Sequence, residues 1–151
     1  MTFDAAAATA LFSALRSHAM TLGLFGRRVA AHAPLSTPGE GLSCWITAGP
    51  LTPVTSSGLA AVSIELTVLV HITASMNQKP LDPVDAAVVA AASTLMAAYA
   101  GDFTLGGLVR EVNIFGGLKA DLSYVLFEDK PFRLAEITLP MIVNDAWTET
   151  A

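Results

Sequence analysis

The longest regular pattern in the chain is an alternation of apolar and polar residues between Ala61 and Thr73. Valine, isoleucine or leucine occupies every second position, which is the period of a β-strand whose successive side chains point to opposite faces. At about 3.3 Å per residue, this strand would span roughly 40 Å. One face is predicted to join the core. The other carries Glu65, Thr67 and His71 and must meet water or a partner, so we take these three residues as candidates for an interface or a lumen lining.

Helical periodicity appears twice. Residues 3–20 carry apolar side chains at helical spacing, with Thr2 available as an N-cap and Gly23 as the stop.

Residues 83–100 form the second predicted helix, and its end signals are more complete. Asp82 is a favoured N-cap, Pro83 suits the first helical position, and Asp85 lies near the positive end of the helix dipole. Gly101 is a typical C-terminal stop.

Shorter apolar runs, separated by turn-forming residues, predict further strands. A hairpin turn is predicted at 128–131, and loops at 33–41 and 49–58. Pro140 lacks an N–H donor, so the last strand should lie at an edge or carry a bulge there. The polar tail from about residue 144 is expected to be mobile or docked on a neighbour. The remaining predicted strands are Leu24–Ala31, Leu42–Ala48, Leu108–Phe115, Leu118–Phe127 and Phe132–Leu139.

This order of elements predicts one α+β domain over residues 1–151, with a mainly antiparallel sheet packed against two helices. Only 14% of the 151 residues are charged and 53% are hydrophobic, which favours a subunit interface. The net charge of −5 disfavours nucleic-acid binding by a broad basic face. No export signal or membrane span is expected, and the protein is predicted to be soluble and intracellular when made.

No group of residues predicts catalysis, a cofactor or a metal ion. The three histidines, His18, His32 and His71, have no metal-ligand spacing on one helix face. His71 and Glu65 share a strand face but stand about 20 Å apart, too far to act as a pair. No serine lies in a G-x-S-x-G motif. The single cysteine, Cys44, is expected to be a buried apolar residue.

Other candidate features favour structural roles. The glycine cluster at 101–107 follows a helix and precedes a strand, the reverse of the order in phosphate-binding loops, so it is predicted to be a turn. Trp45 and Trp147 are expected to pack rather than to stack on a ligand. Asp82, Asp85 and Asp102 are expected to cap helices or stabilise turns.

Four stretches carry a resemblance to a known family. The first two are Gly23-Leu24-Phe25 and Ser56-Ser57-Gly58-Leu59. The third runs from Leu81-Asp82-Pro83 to Gly101-Asp102-Phe103-Thr104-Leu105-Gly106-Gly107 with Val109-Arg110. The last is Phe132-Arg133-Leu134 through Ile142-Val143-Asn144-Asp145-Ala146-Trp147. In this order the chain resembles the tail terminator proteins of long-tailed bacteriophages, especially phages that infect actinobacteria.

The resemblance implies a structural virion protein rather than an enzyme. Such proteins form a ring, typically a hexamer, on the last ring of the tail tube, where they stop elongation and provide the docking surface for head-completion or stopper proteins. The implied partners are therefore further copies of the chain, the major tail tube protein, the head-completion protein and DNA that passes through the lumen without specific binding. The implied location is the tail–neck junction of the virion, and the host cytoplasm during assembly.

Two other readings stay open. The chain could be another component of the same virion, such as a head-completion or stopper protein or a tube-like subunit. It could also be a small domain that binds a ligand between its sheet and helices. An enzyme whose residues converge only in the folded chain is disfavoured, because no nucleophile–base pair is suggested.

Overall fold

Two helices lie on one face of a six-stranded sheet in the computed structural model, which describes residues 3–26, 28–39, 41–55, 61–77 and 80–148. The predicted α+β class, with a mostly antiparallel sheet and two helices in one domain, is confirmed. The described elements are α1 (Ala5–Thr21), β1 (Val29–Ala30), β2 (Leu42–Val54), β3 (Ala61–Ser75), α2 (Pro83–Gly101), β4 (Glu111–Val112), β5 (Lys119–Phe127) and β6 (Lys130–Thr148).

The sheet has the strand order β1-β2-β3-β6, and β4 and β5 share the far side of β6. Only the short β1–β2 pair is parallel. Helix α1 lies near β1 and β2, whereas α2 packs on β3 and β6. One apolar cluster joins both helices to the sheet, with Leu15, Val68, Leu95 and Ile137 fully buried in it.

Helix α1 begins later than predicted, at Ala5. The carboxylate of Asp4 accepts a hydrogen bond from the N–H of Ala7 at 3.0 Å and so caps the helix. The predicted cap, Thr2, lies outside the described residues. Gly23 follows the helix at φ +71°, as its predicted role as a stop requires.

Helix α2 confirms the predicted helical segment but corrects both of its caps. Asp82 has a helical backbone and its side chain makes no capping hydrogen bond. Asp85 instead binds Arg133, with Nε and Oδ1 2.8 Å apart. Gly101 is the last residue of the helix rather than a stop beyond it, and Asp102 is the C-cap. By length and composition alone α2 could cross a membrane, since its mean hydropathy over 18 residues is 1.4. Core helices of soluble proteins share these properties, and α2 buries one side on the sheet as they do.

Three predicted strand boundaries are wrong. The strand predicted at Leu24–Ala31 shortens to Val29–Ala30, because Gly26 turns the chain at φ +59°. The strand predicted to stop at Ala48 continues to Val54 through a bulge between Ala48 and Leu51. The strand predicted at 108–115 reduces to Glu111–Val112, since turns occupy most of the flanking residues.

Strand β3 confirms the alternating pattern, with one exception near its start. Val62 pairs with Trp147 and Ile64 with Val143, so three residues of β6 face the single residue Ser63. This bulge leaves Val62 39% exposed and buries Ser63, whose hydroxyl accepts a hydrogen bond from the N–H of Asp145 at 3.1 Å. The side-chain alternation is therefore interrupted there.

Strand β6 extends through the region predicted to be a polar tail. Its pairing with β3 continues to Thr148, and Ala146 is buried. Pro140 lies inside the sheet rather than at an edge, and its register with β3 is regular. It is tolerated because it falls between β5, which pairs up to Thr138, and β4, which pairs from Met141. The missing N–H of Pro140 thus faces a gap between two partner strands.

Candidate assembly surfaces

The sheet face opposite the helices is here called the bare face, because no helix lies on it among the described residues. The strand register places the three candidate residues, Glu65, Thr67 and His71, on the bare face of β3, which they share with Leu69. All three are half-buried by their neighbours in the sheet. Their role in an interface or lumen lining stays a prediction.

Glu65 and Thr67 lie toward one end of the bare face. Glu65 pairs with Thr52 of β2 and Ile142 of β6. Its carboxylate accepts a hydrogen bond from the Nδ2 of Asn113 at 3.3 Å. Thr67 lies opposite Pro140 of β6, and the bulge of β2 between Ala48 and Leu51 lies on its other side.

His71 occupies the other end of the bare face and has a full set of intramolecular contacts. Its ring stacks on Trp45, with centroids 5.1 Å apart and an angle of 13°. Its Nε2 lies 3.3 Å from Thr47 Oγ1, and its Nδ1 lies 3.6 Å from Glu136 Oε2. Burial lowers the pKa of His71 below its ordinary value, and the nearby Glu136 carboxylate opposes that shift only in part. Neutral imidazole is therefore favoured.

Trp45 is a packing residue, as predicted. It is 8% exposed and contacts Phe127 edge-on at 5.8 Å, and Phe127 in turn contacts Phe132 at 5.2 Å. Glu65 and His71 are six residues apart on an unbroken strand, so the structure does not bring them together.

The bare face is acidic. By register it carries four carboxylates and two ammonium groups, those of Lys119 and Lys130, which gives a net charge of −2 with His71 neutral. Lys119 is paired with Asp121 at 3.3 Å. A face of this sign repels phosphate groups rather than holding them. The carboxylates belong to Glu65, Glu111, Asp121 and Glu136.

The two edges of the sheet differ in chemistry. Strand β5 forms one edge over nine residues, with no proline, glycine or bulge. At the opposite edge β2 is covered by β1 at two positions and is then interrupted by Pro50, Pro53 and a bulge. Prolines and bulges hinder strand pairing, so of the two described edges it is the β5 edge that offers a regular row of backbone groups with no strand partner. Pro50 and Pro53 are a clear sequence signal for this difference between the two edges. The part of β2 that contains them, however, was predicted as a loop.

A cavity of about 420 Å³ lies between the connection that precedes β2 and the strand itself. Arg28, His32 and Trp45 contribute to its wall. The hydroxyls of Ser43 and Thr37 also belong to lining residues and are buried without a hydrogen-bond partner among the described residues. This cavity is open to solvent and contains no nucleophile next to a base. It is not the predicted cleft between sheet and helices.

The titratable residues His18, Asp102 and Cys44 serve the fold. His18 Nε2 lies 2.9 Å from Asp102 Oδ2, and this hydrogen bond, with one from the N–H of Gly106, lowers the pKa of Asp102. The predicted turn at 101–107 is thereby confirmed. Cys44 is buried, as predicted, and burial raises its pKa to about 12. In the described part of the chain no three His, Cys, Asp or Glu residues are grouped to hold a metal ion.

Comparison with known proteins gives a similarity to a solved structure but to no protein family. No protein-family model matches the chain, and no curated protein matches it. Among solved structures, the chain is similar to a chain in the virion of a native gene transfer agent particle, with 16% sequence identity and a TM-score of 0.46. The match covers 93% of this chain and 98% of that chain.

Proposed function

We propose that the chain is a structural virion protein that acts as a tail terminator, with residues 1–151 as one domain of that type. Several copies form a ring, typically a hexamer, on the end of the tail tube. The ring stops elongation of the tube and provides the surface on which head-completion proteins dock. The first support for this role is the sequence resemblance to tail terminator proteins.

The feature that carries the proposal is the combination of a bare acidic sheet face with two unlike sheet edges. Head-to-tail contacts in a ring are heterologous, so each subunit needs two different complementary flanks. The β5 edge and the β1–β2 edge differ in this way. A lumen that DNA slides through should not bind phosphates, and the bare face has a net charge of −2.

The low content of charged residues fits the same role. Only 14% of residues are charged, and several large apolar side chains remain exposed on the isolated chain. Exposed apolar surface of this kind marks sites of protein association. The titratable residues described above make structural contacts, which agrees with a role that needs no chemistry.

Native mass spectrometry and electron microscopy test this function directly. The mass of the purified protein is measured alone and after mixing with isolated tail tubes from the same virus. We expect a closed ring, seen end-on on the tubes, and tubes that no longer elongate. A chain that stays monomeric and does not bind tubes would rule out the terminator role. Binding to completed heads but not to tubes would instead identify a stopper or other neck protein.

The observation that favours a second candidate, a small ligand-binding domain, is the cavity with the unpartnered hydroxyls of Ser43 and Thr37. A ligand bound there at free concentration c would raise the melting temperature, because binding stabilises the folded chain by RT ln(1 + c/Kd). Thermal scans with a panel of small oxyanions and polar metabolites test this. A uniform lack of shift would remove the candidate.

A further inference from the structure

One group of exposed apolar side chains lies at one sheet edge, which we call the β5 flank. It consists of Val89, Phe115, Leu122, Tyr124 and Leu126, which are between 37% and 102% exposed. Leu122, Tyr124 and Leu126 occupy alternate positions of β5 on the helix side of the sheet, where Tyr124 and Leu126 are about two-thirds exposed.

This exposure follows from the width of the sheet. The two helices cover β1, β2, β3 and β6, and α2 packs on β3 and β6. Strand β5 extends beyond α2. Its helix-side residue Ala120 packs against the core, whereas Leu122, Tyr124 and Leu126 stay exposed. A groove of about 390 Å³ remains between α2 and β5, lined by Val89, Met96 and Leu122 among others.

The exposed apolar area of the β5 flank is large for a surface that stays in water. Covering the exposed parts of the five β5-flank residues would remove roughly 600 Å² of apolar surface from water, against about 800 Å² per partner in a standard protein interface. The free backbone edge of β5 adds hydrogen-bonding groups to this surface.

The opposite edge has the complementary character. We call it the α1–β1 flank and define it as residues 9–21 and 28–32. These residues include Arg16 and Arg28 and contain no carboxylate. A depression of about 260 Å³, lined by Thr9, Phe12, Ser13, Arg16 and Ala31, lies along α1.

The two flanks also differ in charge. The two-residue turn that ends β5, Glu128-Asp129, is exposed and acidic. The β5 edge, with these carboxylates beside its protruding apolar side chains, is therefore matched by a flank with arginines and a depression along α1. Because the two flanks lie at opposite edges of one sheet, they cannot meet within a single chain.

We propose that the β5 flank of one copy packs against the α1–β1 flank of a second copy, in a head-to-tail contact. This inference rests on the proposed ring and names its subunit interface. Repeating one heterologous contact around an axis closes a ring, whereas pairing two β5 edges would stop at a dimer.

Cross-linking distinguishes these arrangements. Ser13 on the α1–β1 flank and Ser123 on β5 are both exposed, and Cys44 is buried at 2% exposure. Ser13→Cys, Ser123→Cys and the double variant are treated with a short bis-maleimide, alone and with isolated tail tubes. We expect the double variant to give a ladder of dimers, trimers and larger species, and each single variant to stay monomeric.

Two outcomes would overturn the interface. Dimers formed by either single variant would indicate a symmetric contact. A double variant that does not cross-link, although the native mass shows a ring, would place the contact on other surfaces and leave the proposed function intact. If the wild-type chain forms no ring alone or on tubes, the proposed function itself fails.

A substitution pair provides a second readout. Leu126→Arg introduces a charge at the β5 flank, and we expect it to lose the ring mass while circular dichroism shows an unchanged fold. Val62→Arg is the matched control, because Val62 is 39% exposed on the central strand β3 and belongs to neither flank. Equal loss, or equal retention, of rings in both variants would contradict the assignment.

Discussion

One buried hydroxyl provides a sharp test of how the two helices are joined. Tyr99 on α2 is fully buried, and its hydroxyl donates to the carbonyl oxygen of Leu15 on α1 at 3.0 Å. Tyr99→Phe keeps the ring and removes only this bond. The Leu15 carbonyl lies inside α1, where it also accepts the helical hydrogen bond from residue 19, so the variant leaves no unpaired acceptor. We expect a loss of about 1 kcal/mol in the free energy of unfolding.

Calorimetry at one fixed protein concentration measures this loss, which corresponds to a fall of about 2–4 °C in melting temperature for a chain of this length. Tyr124→Phe is the matched control. Tyr124 is 64% exposed, and its ring lies 4.3 Å from the Arg133 guanidinium, a contact that phenylalanine retains. Its change should stay within about 0.5 kcal/mol. If Tyr99→Phe melted with the wild type, or if both variants lost equal stability, the reasoning would be refuted.

Three further outcomes are expected. Burial raises the pKa of Cys44 from 9.0 to about 12, so the unfolded chain loses its proton first and stability should fall between pH 9 and 12. Denaturant titrations should show a shallower fall in Cys44→Ala, and equal slopes would contradict this. Gly49→Ala should cost about 1–3 kcal/mol, because a Cβ there would lie 2.8 Å from the Thr67 carbonyl oxygen. Gly101→Ala, a helical position with open space, should gain about 0.5–1 kcal/mol, and thermal melts that reversed this order would be inconsistent with the bulge. Glu65→Lys should impair ring assembly or DNA passage more than folding, whereas Glu65→Gln should not, and normal rings with infectious tails in Glu65→Lys would make the bare face irrelevant.

The parts of the fold that the sequence predicts well are those with a repeated physical period. Strand β3 follows from strict alternation, and α2 follows from apolar residues at helical spacing, because each pattern extends over several turns or pleats. Local capping signals were less reliable. Asp85 satisfies the rule for the first turn of a helix, yet its carboxylate contacts Arg133, which is 48 residues away in the chain.

Strand boundaries depended on partners that no local pattern contains. Pro50 and Pro53 indicated a loop, but β2 continues past them because β3 offers an unbroken edge to pair with on the other side. Pro140 indicated an edge, but it lies in a central strand where β5 ends and β4 begins. In both cases the missing N–H is harmless only because of where the neighbouring strand stops.

By itself, the sequence determined the α+β class, the buried cysteine, the acidic balance and the strand face that carries Glu65, Thr67 and His71, since all of these depend on residue type and local period. Only the tertiary structure decided that the sheet extends beyond its helices, which leaves Tyr124 and Leu126 uncovered at one edge. Alternation within β5 identifies two faces but not what covers each one. Coverage depends on how far two helices reach across six strands, and that distance is set by packing between elements far apart in the chain.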